Sequence, residues 1–250
     1  MNNETLSAPP VEHLDLGSME LRASTSACWA AARFLLLAAI LMYNAPCFAL
    51  SVAKPSPPAA IAAHSSDRAV LLLFKSCITK DPFGALASWG NESLHFCRWP
   101  GVACGKRGQR RGHVVGLSLG SLGLVGTISP SISNLTHLRN LHLPHNKFNG
   151  RIPHELGLLS DLKHLNLSDN SLEGEIPSEL SRCSQLQTIS LWYNNLQGRM
   201  PSNFSHCSNL RTIEFFANYL EGDIPSEFGS IENLELLNLF DNNLNGSLPP

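Results

Sequence analysis

The sequence predicts an α/β solenoid: short coils stacked along one axis, with a parallel sheet down one side and a small helical cap at the N-terminal end. Three observations predict it. The first is a step of 24 residues that links Asn146, Asn170, Asn194, Asn218 and Asn242. The second is the same step in apolar and turn residues. It joins Leu138, Leu162, Leu186, Leu210 and Leu234, then Leu143, Leu167, Leu191, Phe215 and Leu239. It also joins Gly150, Gly174, Gly198, Gly222 and Gly246, and Pro153, Pro177, Pro201, Pro225 and Pro249. The third is a non-repeating block ahead of the first coil that carries an amphipathic helix pattern and two closely spaced cysteines. A fixed period of this size marks coils that cannot bury a core singly and must cover one another. Such a chain presents a long surface to a partner instead of closing a pocket around a small substrate.

The elements follow in order. Residues 1–53 read as a leader. Phe34 to Tyr43 is an apolar run preceded by Arg22 and Arg33 and followed by Cys47-Phe-Ala49. This is a secretory signal pattern, too short to span a bilayer, with cleavage after Ala49 or Ala53. The stretch before Met19 is long and slightly acidic for the start of a signal, which leaves Met1 and Met19 both open as the first residue. Residues 54–64, rich in Pro and Ala, read as a flexible junction. Residues 65–113 form the cap. Ser65 and Ser66 suit a helix start. Val70, Leu73, Phe74, Cys77 and Ile78 make an apolar helical stripe that Pro82 bounds. Leu86 and Trp89 offer a second apolar patch.

Residues 114–250 form the coils. The first, from Val114 to about Thr136 given the usual uncertainty of boundaries, keeps Leu117, Leu119, Leu124, Gly126 and Ile128. It departs at Leu122, where the Asn falls elsewhere, and at Ser129, where the Pro falls. Terminal coils are expected to be atypical. Four complete coils run from Leu138 to Asn233, and another begins at Leu234. The chain stops inside this coil, at Pro250. A fragment of a longer product is therefore expected, with Leu239 and Leu248 exposed at an open end.

Each coil has a physical reading. In Leu162-Lys-His-Leu165-Asn-Leu167-Ser-Asp-Asn170, apolar and polar residues alternate over a short strand. Leu165 and Leu167 point inward, and His164, Asn166 and Ser168 outward. Asn170 falls where the chain turns off the strand. Its amide carries donors and an acceptor for turn backbone that needs partners. Leu172 points inward, Gly174 permits a bend, and Pro177 sets a fixed φ. Ser178 to Leu180 read as a short helical turn with Leu180 inward.

The pattern L-x-x-L-x-L-x-x-N-x-L-x-G-x-I-P, seen best from Leu162 to Pro177, resembles the plant-specific leucine-rich repeat. The resemblance covers Asp67 to Pro250. It implies a leucine-rich-repeat right-handed solenoid with a parallel concave sheet and a second sheet formed by the L-x-G-x-I-P segments. The block Cys97-Arg-Trp-Pro-Gly-Val-Ala-Cys104 resembles the N-terminal cap of plant receptor kinases. There the two cysteines pair, so a Cys97–Cys104 disulfide is implied, with Trp99 packed beneath the first coil. Losing such a staple costs about 2–5 kcal/mol in small secreted domains.

The same resemblance implies the outer part of a receptor-like Ser/Thr kinase, above all of the subfamily that senses microbial peptides, acting in innate immune or developmental signalling. The rest of such a receptor holds more repeats, one membrane helix and a cytosolic kinase. The implied partners are a peptide or protein ligand and a co-receptor kinase. Contact with a membrane comes only through a C-terminal span that these residues lack. Two alternatives stay open: a secreted interaction protein resembling polygalacturonase inhibitors, and a truncated copy without function.

The chain has seven cysteines, of which Cys28 and Cys47 lie in the leader. Cys77 falls on the helix stripe. Cys183 and Cys207 share a coil position that Leu159 and Ile231 fill elsewhere, so all three read as small buried hydrophobes. Asn91, Asn134, Asn166, Asn203 and Asn245 each start an N-glycosylation acceptor triplet, which agrees with secretion, and Asn3 starts one in the leader. A glycan at Asn166 would stand on the concave face.

The formal net charge of −2 gives no nucleic-acid footprint. The basic run Lys106-Arg107-Gly-Gln-Arg110-Arg111 reads as a solvated loop. The ten histidines show no metal-binding spacing, although His142 and His164 fall diagonally on the concave face. There is no phosphate-binding glycine loop, G-x-S-x-G motif or kinase signature. No catalytic residue, metal or cofactor is expected.

Function is expected on the concave face. One outward column runs Pro144, Ser168, Trp192, Phe216 and Phe240, with Tyr193 and Asp241 beside it. The next runs His142, Asn166, Ser190, Glu214 and Asn238. A third runs Asn140, His164, Thr188, Thr212 and Leu236. Exposed aromatics in successive coils are favoured contact anchors, although in-register coils can also stack such rings on one another. Trp192, Tyr193, Phe216, Phe240, Glu214 and Asn238 are the candidate ligand-binding residues.

Overall fold

The computed structural model describes residues 66–246. The expected leader and junction, with Cys28, Cys47 and the Asn3 triplet, lie outside the described residues, as do Leu248 and Pro249. No helix among the described residues is long and apolar enough to cross a membrane.

The cap opens with helix α1 (Asp67–Ser76). Ser66 takes the N-cap position, but its hydroxyl makes no capping bond. Asp67 stands in the first turn, where a carboxylate suits the helix dipole. Its Oδ2 also accepts the Val114 N–H at 2.6 Å, which ties the helix to the first coil. The buried face is Val70, Leu71 and Phe74, whereas Leu73, expected inward, is 52% exposed. The Phe74 ring sets this rotation, lying 6.4 Å from Trp89 and 6.1 Å from Phe148. With Phe74 centred on the solenoid, Leu71 turns in and Leu73 turns out.

Ile78, also expected on the helical stripe, leaves the helix for strand β1 (Ile78–Lys80). This strand pairs antiparallel with β4 (Val125–Thr127). The approach is so close that a Cβ on Gly126 would lie 2.1 Å from the Cys77 carbonyl oxygen, so only glycine fits.

Two seven-stranded sheets run along the coils. The first, expected to be concave, is ordered β13-β11-β9-β7-β5-β3-β2. Its coil strands are β3 (Val114–Ser118), β5 (Asn140–His142), β7 (His164–Asn166), β9 (Thr188–Ser190), β11 (Thr212–Glu214) and β13 (Leu236–Asn238). All of these pair in parallel. The cap adds β2 (Val102–Cys104), antiparallel to β3, and so covers that edge with its own backbone.

The second sheet is ordered β1-β4-β6-β8-β10-β12-β14. It holds β6 (Lys147–Arg151), β8 (Ser171–Gly174), β10 (Asn195–Gly198), β12 (Tyr219–Gly222) and β14 (Asn243–Leu244). Each coil closes with a short 3-10 turn, such as Ser178–Arg182. Gly174 has φ +79°, the left-handed conformation that its bend requires.

The core is one continuous column of apolar side chains. Leu141, Leu165, Ile189 and Ile213 from the first sheet are fully buried, as are Leu143, Leu167, Leu191 and Phe215. Leu172 and Leu180 are buried as their coil position requires.

The asparagines stitch adjacent coils together. Asn194 Oδ1 accepts the Leu172 N–H of the preceding coil at 3.0 Å. Its Nδ2 donates to the carbonyls of Leu167, Leu191 and Trp192. Asn170, Asn218 and Asn242 repeat the pattern. The first coil lacks its own Asn, and Asn146 compensates by accepting both the Leu122 and the Leu124 N–H. Ser129, which replaces the proline, caps its turn by accepting the Ser131 N–H.

Cys97 and Cys104 form a disulfide with an S–S distance of 2.01 Å. Trp99 is buried and stacks on Trp89 at 5.4 Å. The Arg68 guanidinium lies 5.7 Å from the centre of the Trp99 ring. Cys183 and Cys207 are free and buried, and burial pushes their thiols up, to about 12 and about 11. Each thiol donates to a carbonyl of the preceding coil, Leu156 and Ser181 respectively. Cys77 is buried but is not a free thiol, which corrects its reading as a plain hydrophobe.

Candidate ligand-binding surface

The register of the first sheet brings the expected columns together. His142 pairs with Asn166, Asn166 with Ser190, Ser190 with Glu214, and Glu214 with Asn238. The neighbouring column runs Asn140, His164, Thr188, Thr212 and Leu236 in the same registers. Column membership follows from the period alone. Exposure does not.

Three residues expected to be outward are covered. Pro144 is buried and Ser168 is fully buried. The Ser168 hydroxyl turns back to donate to Asn166 Oδ1 at 2.6 Å. Ser190 is 3% exposed because its hydroxyl donates to Glu214 Oε2 at 2.6 Å and lies beneath that side chain. A small side chain between large neighbours disappears under them.

The aromatic stripe divides in two. The Trp192 and Phe216 rings stack at 5.3 Å with 10° between their planes, and both are half-buried. Tyr193 packs edge-on against both, at 5.6 Å and 5.9 Å. His145 closes the other end, its ring centre 5.6 Å from that of Trp192 and the planes at 67°. Phe240 stands apart and is 78% exposed. Stacking and exposure therefore coexist along one column.

The polar members are held in place. Asn238 Oδ1 accepts the Phe240 N–H at 3.3 Å. His145 Nδ1 meets Asp169 Oδ2 at 2.6 Å across adjacent coils. His142 is pushed below its ordinary pKa, first by desolvation against the sheet and second by His145. His164 is pushed the same way, by desolvation first and then by Lys163 and Arg139. Neither histidine belongs to a metal-binding group among the described residues.

Of one further column, sequence reasoning named only Tyr193 and Asp241. Ser121, His145, Asp169, Tyr193, Ala217 and Asp241 all have positive φ, between 50° and 60°. Each precedes the asparagine position of its coil or aligns with it, so the repeat step carried the signal. The reading of the basic run as wholly solvated also changes. Arg110 Nε donates to Asp161 Oδ2 at 2.9 Å and so ties the cap loop to a later coil.

The acceptor asparagines differ in setting. Asn91, Asn134, Asn203 and Asn245 are exposed, whereas Asn166 is half-buried on the first sheet. Its Oδ1 accepts both the Ser168 N–H and the Ser168 hydroxyl.

Known proteins match this architecture segment by segment. The family "Leucine rich repeat N-terminal domain" matches residues 64–105, and leucine-rich-repeat families match residues 137–159, 161–183 and 184–244. The LRR receptor-like serine/threonine-protein kinase EFR of Arabidopsis thaliana is 45% identical over 95 residues, which is 38% of this chain and 9% of that protein. The chain thus matches about a tenth of the length of such curated relatives.

Among solved structures, the BIR2 ectodomain from Arabidopsis thaliana is 34% identical with a TM-score of 0.61. The likeness covers 72% of this chain and 95% of that one. The Arabidopsis receptor kinase HAESA, in complex with the peptide hormone IDA and the co-receptor SERK1, is 28% identical with a TM-score of 0.55. That likeness covers 74% of this chain and 35% of HAESA. From its cap, its repeats and these matches, the chain belongs to the plant leucine-rich-repeat receptor-like kinase family, whose ectodomain architecture it carries.

Proposed function

We propose that this chain is an extracellular ligand-recognition segment of a leucine-rich-repeat receptor kinase and that it binds an extended peptide or a protein along the first sheet. One observation carries the reading: the stacked pair Trp192 and Phe216 with Tyr193 against it, the exposed Phe240 one coil on, and Glu214 and Asn238 in the adjoining column, all on in-register parallel strands. Rigid aromatics on a regular scaffold lose little entropy when they bind a partner. The complex of HAESA with a peptide hormone and a co-receptor supports the same class of partners here. The signal pattern and the exposed acceptor triplets support passage through the secretory pathway, with glycans at Asn91, Asn134, Asn203 and Asn245 and a fifth at Asn166. The kinase belongs to the part of such receptors that these residues do not match.

Panning a random peptide display library on the immobilised chain tests the reading. Peptides enriched on the wild-type protein are expected to lose at least about tenfold in affinity on a W192A/F216A/F240A variant, in line with aromatic hot spots. The variant should keep the circular dichroism of the folded solenoid. Unchanged affinity on a folded triple variant would remove the aromatic strip from the binding surface.

A further inference from the structure

We infer that a notch beside the asparagine ladder is a subsite for a cationic side chain, an arginine of an extended peptide. The inference rests on the proposed ligand-binding reading and specifies part of its chemistry.

The notch is a cavity of about 450 Å³ lined by Tyr193, Tyr219, Ala217, Asn218, Asp169 and Asp241, among others. Ala217 creates it. The same left-handed position holds His145, Asp169, Tyr193 and Asp241 in other coils, and each of these is larger. Apart from Ser121 in the first coil, Ala217 is the one small residue of this column, and between Tyr193 and Asp241 it leaves a gap one coil wide. Its walls are the two tyrosines, each 57% exposed. Neither phenol hydroxyl has a hydrogen-bond partner among the described residues.

The charge at the rim is acidic and only partly spent. Asp169 is engaged by His145. Asp241 forms no ion pair among the described residues. The coils around the notch are acidic as well: residues 186–246 hold seven carboxylate side chains against two arginines, Arg199 and Arg211. Two tyrosine rings with a carboxylate among the lining residues can attract a cation by ring quadrupole and charge together. A guanidinium is planar, weakly hydrated and stacks on such faces, so arginine suits the notch better than a compact ammonium. Its long stem can cross from the first sheet to the notch while the peptide backbone stays on the strip.

The chain has three tyrosines, so ring carbon-13 labelling gives a spectrum that Y193F and Y219F assign. The probe is acetyl-arginine N-methylamide, titrated into the full-length chain beside its uncharged isostere, the citrulline derivative. Saturable shifts of both the Tyr193 and Tyr219 rings are expected, with binding about tenfold tighter for arginine than for citrulline. D241N should weaken the arginine response to the citrulline level without a change of volume. A217Y should abolish it by filling the notch, and Tyr193 shows that this backbone position accepts a tyrosine.

Three results would overturn the subsite: no ring shifts, equal response to the two probes, or an undiminished response in both variants. If A217Y fails to fold, D241N decides alone. Loss of the subsite would leave peptide binding on the aromatic strip intact, because the library experiment reads that strip through Trp192, Phe216 and Phe240.

Discussion

At the level of single residues, the ladder asparagines decide most. Each one satisfies backbone on two coils at once, and no other side chain of that size offers two donors and an acceptor in one plane. Asn194 is 6% exposed, and its partners have no water to fall back on. Replacing it with alanine strands the Leu172 N–H, while the Leu167, Leu191 and Trp192 carbonyls keep donors in Asn170 Nδ2, Asn218 Nδ2 and the Asp169 N–H. About 1–3 kcal/mol is expected for the one group left unpaired, read as a lower urea midpoint. An N194A chain with an unchanged midpoint would show that solvent reaches the turn. Their function in the coil was legible because they recur at a fixed step. Burial of Ser168 and Ser190 was not legible, since it depends on where their hydroxyls turn, to Asn166 Oδ1 and to Glu214 Oε2 one coil away. The tyrosine notch was hidden as well: an alanine is informative only once its stacked neighbours are known.

Among the structural elements, the cap shows where local pattern runs out. The helix was legible from its apolar stripe, but its rotation was set by the contacts of Phe74 with Trp89 and Phe148. The strands β1 and β2 carry no alternating pattern long enough to read. They form because the open edges of both sheets at the first coil need backbone partners. The Arg110–Asp161 pair then ties the cap loop to the end of the second coil.

The Arg110 hydrogen bond, before any other cause, holds the Asp161 carboxyl below its ordinary 3.8. A carboxyl depressed in the folded state contributes stability above its unfolded value and loses it as pH falls through the folded one. The loss therefore begins near pH 3.8 and extends below it. In acid titrations followed by circular dichroism, R110A is expected to unfold at higher pH than the wild-type chain. The gap should narrow in high salt, since Arg110 is 43% exposed. Identical acid midpoints at low salt would mean that the pair contributes nothing to cap docking.

Along the full solenoid, stability is a sum of coil interfaces. Leu141, Leu165, Ile189 and Ile213 are fully buried, each between the coils on either side. Damage to one coil should therefore fall mainly on its neighbours: I189A is expected to speed amide hydrogen exchange in β7 and β11 more than in β3. Equal acceleration along the whole sheet would contradict a nearest-neighbour solenoid.

The order of amino acids alone established the coil: which residues face inward, where the chain turns, and which residues share a column. A strict period forces chemically equivalent residues into equivalent environments, so each coil could be read from its neighbours. Three-dimensional packing set how exposed each column member is, which way the cap helix faces, and where a cavity opens. Those properties depend on the volumes of side chains a whole coil apart, and the period does not constrain volume.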